Sequence, residues 1–217
     1  MVKITKGYVI NLKKRPDRLD RFQKQISAYL PDIDITVVEA VDGTSLNLED
    51  PFYKKNVNKW NFDNLKNEKK LRGVIACCLS HLNCYDLISK SDEEYSLIFE
   101  DDCAFRSDIK QQKGQEFINQ LRIPPGKFGI IFLNKWDSKK IARAGQLNKI
   151  EGAPTAESYI ISKDYARILY KENITNIGAI DAHMGQLIKK YPDYPSYQLV
   201  DELFIQHDRS DTNIQFR

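Results

Sequence analysis

A three-layer α/β fold around a mostly parallel central sheet is what this sequence predicts, and three observations predict it. Strand-like and helix-like segments alternate from the first residues onward, the order that builds parallel sheets with covering helices. The stretch Tyr95-Ser96-Leu97-Ile98-Phe99 is a near-continuous apolar run rather than an alternating one, as expected of a parallel strand covered on both faces. That run stops in three consecutive carboxylates, Glu100-Asp101-Asp102, which places the acids at a C-terminal strand edge. In an open α/β sheet that edge is where ligands bind.

The elements follow in order. Residues 7–12 read as a strand, and Lys13-Lys14-Arg15 ends the apolar run just before Pro16, which suits the first turn of a helix. Leu19, Phe22, Ile26 and Tyr29 then recur at spacings of three and four, an amphipathic helix that stops before Pro31. Residues 33–38 form a second strand, closed by the turn pair Asp42-Gly43. Strand, helix, strand in this order implies a parallel pair with a right-handed crossover. Residues 44–70 are polar and aperiodic, the length of a mobile lid or acceptor loop. From 72 to 89 the positions Ile75, Leu79, Leu82, Tyr85 and Ile88 keep helical spacing. Phe117 and Leu121 suggest a helix before Pro124, residues 128–133 another buried strand, and 134–153 a polar connection with room for a hairpin. A short strand at 159–161 meets Ser162, a helix N-cap, followed by a helix through Tyr165, Ile168 and Leu169. Residues 180–190 read as one more helix and 203–206 as a short strand.

With 217 residues the chain fits one domain. Its 33 basic and 30 acidic residues nearly cancel, and the basic ones are scattered, so nothing calls for nucleic acid. No apolar run approaches the ~20 residues of a spanning helix, and residues 1–6 hold no signal-peptide core. The four cysteines, Cys77, Cys78, Cys84 and Cys103, suit neither a disulfide framework nor paired zinc motifs, and read as reduced, mostly buried small hydrophobes. The expected setting is cytoplasmic, with at most peripheral contact to a membrane surface.

Three like charges in a row at a sheet edge are costly unless a cation or strong donors offset them. Oxygen ligands suit Mg²⁺ or Mn²⁺, which bind through one or two carboxylates plus substrate phosphates. The competing expectation is an acidic surface turn in which Asp101 or Asp102 caps a helix. Three further places are candidates to serve the acidic edge. Arg15, Arg18 and Arg21 follow the first strand and suit phosphate, or else lie on a solvated helix face. Ser80-His81 sits mid-helix among apolar residues, either a site pair or satisfied core polar groups. Late in the chain, Asp181 and His183, and then His207 and Asp208, offer a base or an imidazole ligand.

The ordered set resembles a known family. Tyr8-Val9-Ile10-Asn11-Leu12 with Arg15 and Arg18, then Asp42-Gly43, the helix Gly73 to Leu82 with its Ser80-His81 pair, Ile98 through Asp102, Ser158 through Ser162 with Ala166, Ala179-Ile180-Asp181, and Ile205-Gln206-His207 with Ser210-Asp211 are similar to family 25 glycosyltransferases. The resemblance implies a GT-A type, Rossmann-like sandwich, with residues of about 1–105 as the nucleotide-sugar half and about 106–217 as the acceptor half. It implies an inverting, metal-dependent hexosyltransferase that moves galactose or glucose from a UDP-sugar to a hydroxyl on a glycan, glycolipid or hydroxylysine. Asp102, with Glu100, would hold Mn²⁺ or Mg²⁺, joined by His207 as a third ligand. Asn11, Leu12, Arg15, Arg18, Asp42 and Gly43 would line the nucleotide site, Ser80, His81, Glu100 and Asp101 would border the donor, and Asp181 would act as the catalytic base. The chain departs from the family at Val74-Ile75-Ala76, where relatives carry glutamate, isoleucine and glycine. A nucleotidyltransferase, or a degenerate UDP-sugar-binding module, is the alternative expectation.

Overall fold

The computed structural model describes residues 4–59, 63, 65–109, 111–122, 127–134, 139–153 and 155–206. Its opening unit is β1 (Lys6–Asn11), α1 (Pro16–Tyr29) and β2 (Asp34–Glu39). Pro16 takes the first helical position, where its missing N–H costs nothing, and the residues of α1 that become buried are Arg18, Phe22 and Ile26. The segment 44–70, expected as a lid or loop, holds more order than its composition suggests. A 3₁₀ turn at Gly43–Ser45 precedes a short helix α2 (Pro51–Asn56), capped by Asp50 through a 2.7 Å bond from the Phe52 N–H. Val57 forms an isolated parallel bridge with Ile177, and Asn58 donates its N–H to the Ile177 carbonyl at 2.7 Å. The long helix α3 (Glu68–Lys90) starts one turn earlier than the apolar spacing predicts, because the Asn67 side chain caps it at the Lys70 N–H.

The remaining elements are β3 (Tyr95–Glu100), β4 (Cys103–Phe105), α4 (Gln111–Gln120), β5 (Ile130–Phe132), β6 (Lys139–Ala144), β7 (Leu147–Glu151), β8 (Ser158–Ser162), α5 (Lys163–Asn173), α6 (Ile180–Lys190), β9 (Ser196–Leu199) and β10 (Phe204–Gln206). Eight strands form one sheet in the order β2-β1-β3-β8-β5-β9-β7-β6. β2, β1 and β3 are parallel; β8 opposes β3 and β5, β9 follows β5, and β7 opposes both β9 and β6. Only β8 and β7 therefore run against the common direction. The expected hairpin within 134–153 is β6–β7.

The apolar run of β3 is explained by its two faces. Ile98 joins Tyr8, Ile10, Phe132 and Tyr159 in a core beneath α3, α5 and α6. Leu97 and Phe99 join Val9, Phe22, Ile26 and Leu133 in a second core beneath α1. On that second face β4 and β10 pair as a separate two-stranded antiparallel sheet, and Phe204 packs 4.2 Å from Phe105 and 5.2 Å from Phe99, ring centre to ring centre. The two acids after β3 thus sit in a turn between strands of different sheets, and cap no helix.

Candidate active site

The C-terminal ends of β1 and β3, the residues after β2 and one side of α3 enclose a cavity of about 620 Å³. Its wall includes Leu12, Lys14, Arg18, Val41, Asp42, Gly43, Arg72, Cys77, Ser80, His81 and Glu100-Asp101-Asp102. Backbone closeness builds part of this wall. A Cβ on Gly43 would lie 2.9 Å from the Arg72 carbonyl oxygen, so only glycine lets the 3₁₀ turn rest on α3. Gly43→Ala should lower stability by about 1–3 kcal/mol in urea unfolding, since neither backbone can yield without moving the cavity wall.

The acids are far from a solvated turn. Asp101 and Asp102 are only 5% and 4% exposed. Arg18 reaches both, with Nη1 3.0 Å from Asp101 Oδ1 and Nη2 2.7 Å from Asp102 Oδ2. Asn11 donates its side-chain amide to Asp101 Oδ2 at 2.6 Å, and Gln206 donates to Asp102 Oδ2 at 3.2 Å. Burial pushes the Asp101 carboxyl up to about 6, with Arg18 and Asn11 opposing the rise. Asp102 is also raised, first by burial and then by Glu100, and again Arg18 opposes. Its second oxygen, Oδ1, is buried with no hydrogen-bond partner among the described residues. An orphaned carboxylate oxygen at the cavity wall is a vacancy in the bonding that a cation would satisfy, so the donor set fits a hard divalent ion.

Glu100 turns the other way. Its Oε1 accepts from His81 Nε2 at 3.2 Å and lies 3.9 Å from Cys77 Sγ. His81 Nδ1 meets the Tyr159 hydroxyl at 2.8 Å, and Tyr159 meets Tyr85 at 3.0 Å. Ser80 accepts the Val41 N–H at 2.9 Å and donates to the Ala76 carbonyl at 2.7 Å, tying the strand after β2 to α3. Both hydroxyl functions are used, so Ser80 shapes the wall. Asp42 is held down to about 2 by Lys14 at 2.6 Å, and next by Thr44.

Expectations change at Arg15, Arg18 and Asn11. Arg15 bonds Asp17 with both Nε (3.0 Å) and Nη2 (2.9 Å) and is absent from the cavity wall, where Lys14 stands instead. Arg18 spends its guanidinium on the aspartates rather than on a phosphate. Cys77 is half-buried, packing against the core and also lining the cavity wall, and its thiol is pushed well up by burial and then by Glu100. Sequence reasoning missed Lys14, Arg72 and Tyr159. Leu12 lies in the cavity wall, whereas Asn11, expected to line the nucleotide site, is not part of the wall and bonds Asp101. Asp181 lies exposed in the first turn of α6, outside the cavity wall, in a separate recess of about 370 Å³ with Gly152, Ala153, Gly185 and Lys189. It is near enough to Cys77 to help raise that thiol, alongside Glu100 and Asp102. His183 is buried on the same helix, where burial lowers its pKa with Asp181 opposing, and it is not part of the cavity wall. His207 and Asp208 lie outside the described residues.

The sequence profile of glycosyltransferase family 25, described as an LPS biosynthesis protein, matches residues 4–184. The chain belongs to glycosyltransferase family 25. Among relatives of this family 25 domain, procollagen galactosyltransferase 2 of Mus musculus is 32% identical over 112 residues, 48% of this chain and 17% of the relative. The Homo sapiens protein of that name is 26% identical over 210 residues, 88% of this chain and 32% of the relative. The domain therefore spans about a third of the length of that human relative. A UDP-glucose pyrophosphorylase complexed with UDP-glucose superposes with a TM-score of 0.51 at 12% identity, over 98% of this chain and 96% of that one. That likeness places the family 25 domain in the GT-A and nucleotidyltransferase-like fold class.

Proposed function

We propose that this domain transfers a hexose, galactose or glucose, from a UDP-hexose to a hydroxyl of a glycan, glycolipid or hydroxylysine acceptor, with inversion at the sugar carbon. The observation that carries the reading is a cavity that sets a buried acidic edge against a basic rim of Lys14, Lys69 and Arg72 at the C-terminal end of β1 and β3. Its volume of about 620 Å³ suits a nucleotide-sized ligand. The galactosyltransferase relatives support a hexose as the group moved.

The family implies a divalent cation, Mn²⁺ or Mg²⁺; Asp102 Oδ1 would hold it, and the ion would supply positive charge to the leaving diphosphate. Lys14 and Arg72 line the region a diphosphate would enter; Lys14 is held by Asp42 and Arg72 by Glu68, and each would add charge to the diphosphate by exchanging that partner. Arg18 and Asn11 keep Asp101 and Asp102 in place, so the edge is preorganised before any ligand arrives. Asp181, exposed in a separate recess at the start of α6, is the group proposed to take the acceptor hydroxyl's proton. Asp181→Asn should keep UDP binding, read by calorimetry, while transfer falls about 10²–10⁴-fold. Full transfer by that variant would remove Asp181 from the mechanism.

The pyrophosphorylase likeness favours a nucleotidyltransferase as the second reading, and the loop between β1 and α1, Leu12-Lys13-Lys14-Arg15, argues against it because it has no glycine to wrap a triphosphate. A binding module is the third. Val74 and Ala76 pack against the core, and Ala76 lies in the cavity wall where a family glycine would leave more room. UDP binding with no turnover of UDP-galactose or UDP-glucose over a panel of acceptors would favour the module.

A further inference from the structure

We propose that Cys77, His81 and Glu100 form a binding site for a single thiophilic divalent cation of the zinc class, distinct from the oxygen site at Asp102. Cys77 and His81 are one helical turn apart on α3, on the same face, and Glu100 reaches them from the end of β3. The three donor atoms all lie within 4.8 Å of one another. Bond lengths of zinc to sulfur, nitrogen and oxygen put the edges of a tetrahedral site at about 3.4 Å for nitrogen to oxygen and about 3.6 Å for sulfur to oxygen. The two corresponding edges here are 3.2 Å and 3.9 Å, each within a few tenths of an ångström of those lengths, and the sulfur–nitrogen edge is no longer than 4.8 Å.

A second, independent feature points the same way. The far nitrogen of His81, Nδ1, already rests on the Tyr159 hydroxyl, itself bonded to Tyr85. Ligating histidines are oriented by such a partner on the other ring nitrogen. Without a cation, Nε2–H donates to Glu100, and Nδ1 accepts from Tyr159. With one bound, the Nε2 lone pair goes to the metal and its proton moves to Nδ1, which donates to Tyr159, whose hydroxyl turns to donate to Tyr85. A hydroxyl can serve in either direction, so the His81–Tyr159 and Tyr159–Tyr85 bonds persist in both states, with the Tyr85 hydroxyl changing from donor to acceptor. The Cys77 proton leaves to solvent, and one proton is released per ion bound. Since Cys77, His81 and Glu100 all line the donor cavity, the fourth position of the ion faces that cavity and is left for water. Hard cations such as Mg²⁺ prefer the all-oxygen edge, and a thiolate with an imidazole selects zinc.

Cobalt(II) makes the test visible. Titrating the folded full chain with Co²⁺ should give a near-ultraviolet thiolate-to-cobalt charge-transfer band that saturates at one equivalent and is bleached by Zn²⁺ but not by Mg²⁺. Cys77→Ser should abolish the band. Cys78→Ser, altering a fully buried neighbour outside the cluster, should keep it. Tyr159→Phe should weaken Co²⁺ binding about 10-fold through the lost orientation of His81. No band at excess Co²⁺, or a band that persists in Cys77→Ser, overturns the site. An unchanged affinity in Tyr159→Phe overturns the tautomer relay. These readouts need no turnover, so they stand or fall apart from the proposed transferase activity.

Discussion

Asp102→Asn is expected to leave the domain folded and to lower sugar transfer by about 10²–10³-fold. The substitution keeps an oxygen for Arg18 and Gln206 to bond, so the corner between β3 and β4 retains its partners. What it removes is the charge on the Asp102 oxygen that has no hydrogen-bond partner among the described residues, and it sets an amide donor where a cation would sit. The check is transfer from UDP-galactose and UDP-glucose with and without Mn²⁺, beside a melting curve of each protein. In the wild type UDP with Mn²⁺ should raise the melting temperature by mass action, and in the variant Mn²⁺ should add nothing to UDP alone. Full activity in a folded Asp102→Asn protein would sink the metal assignment.

The larger effect on stability is expected at Arg18. Its guanidinium is 5% exposed and bridges two carboxylates that are nearly as buried. Replacing it with methionine fills most of the volume but strands two acids with no cation, and breaking a buried pair from one side costs about 3–5 kcal/mol. Arg18→Lys should recover only part of this, because a point charge cannot hold two separated oxygens in the fixed fork that a guanidinium offers. Urea unfolding of the three proteins measures both claims. A loss under about 1 kcal/mol in Arg18→Met would mean that the pair is as weak as an exposed one. Added Mn²⁺ should stabilise the methionine variant more than the wild type, since the vacated charge makes the acidic edge a better cation site.

That pairing was legible in part. Arg18, Phe22 and Ile26 are spaced by four, so Arg18 lies on the buried stripe of α1 rather than on its solvated face. A cation on an apolar stripe, read together with three acids at a strand end, was the available signal. The helices and the long strands announced themselves through period and composition. β4 and β9 did not: the first has only three residues, and the second, Ser-Tyr-Gln-Leu, buries a serine and a glutamine that read as exposed. Helix α2 escaped because six residues hold too little period, although Asp50-Pro51 was a cap and a first turn in plain sight. Lys14 displaced Arg15 at the cavity because the start of α1 turns Arg15 back onto Asp17, a choice set by local backbone angles that no spacing reveals. Cys77 was read with its buried neighbours, yet its four-residue spacing to His81 already put both on one helix face.

The small sheet of β4 and β10 has a consequence for the order in which the protein can come together. Gln206 lies 104 positions after the Asp102 carboxylate it bonds, and Phe204 closes on Phe99 and Phe105 from the same late strand. Contacts so distant in sequence form late, because the chain must pay loop-closure entropy before they reward it. During synthesis β1, α1 and β3 emerge and can pair, with Arg18 on its two aspartates, while the acidic edge still lacks its last donor and its aromatic backing. The acidic edge is thus finished by one of the last described segments to leave the ribosome, and a nascent chain carries Glu100, Asp101 and Asp102 well before it carries the strand that completes their corner.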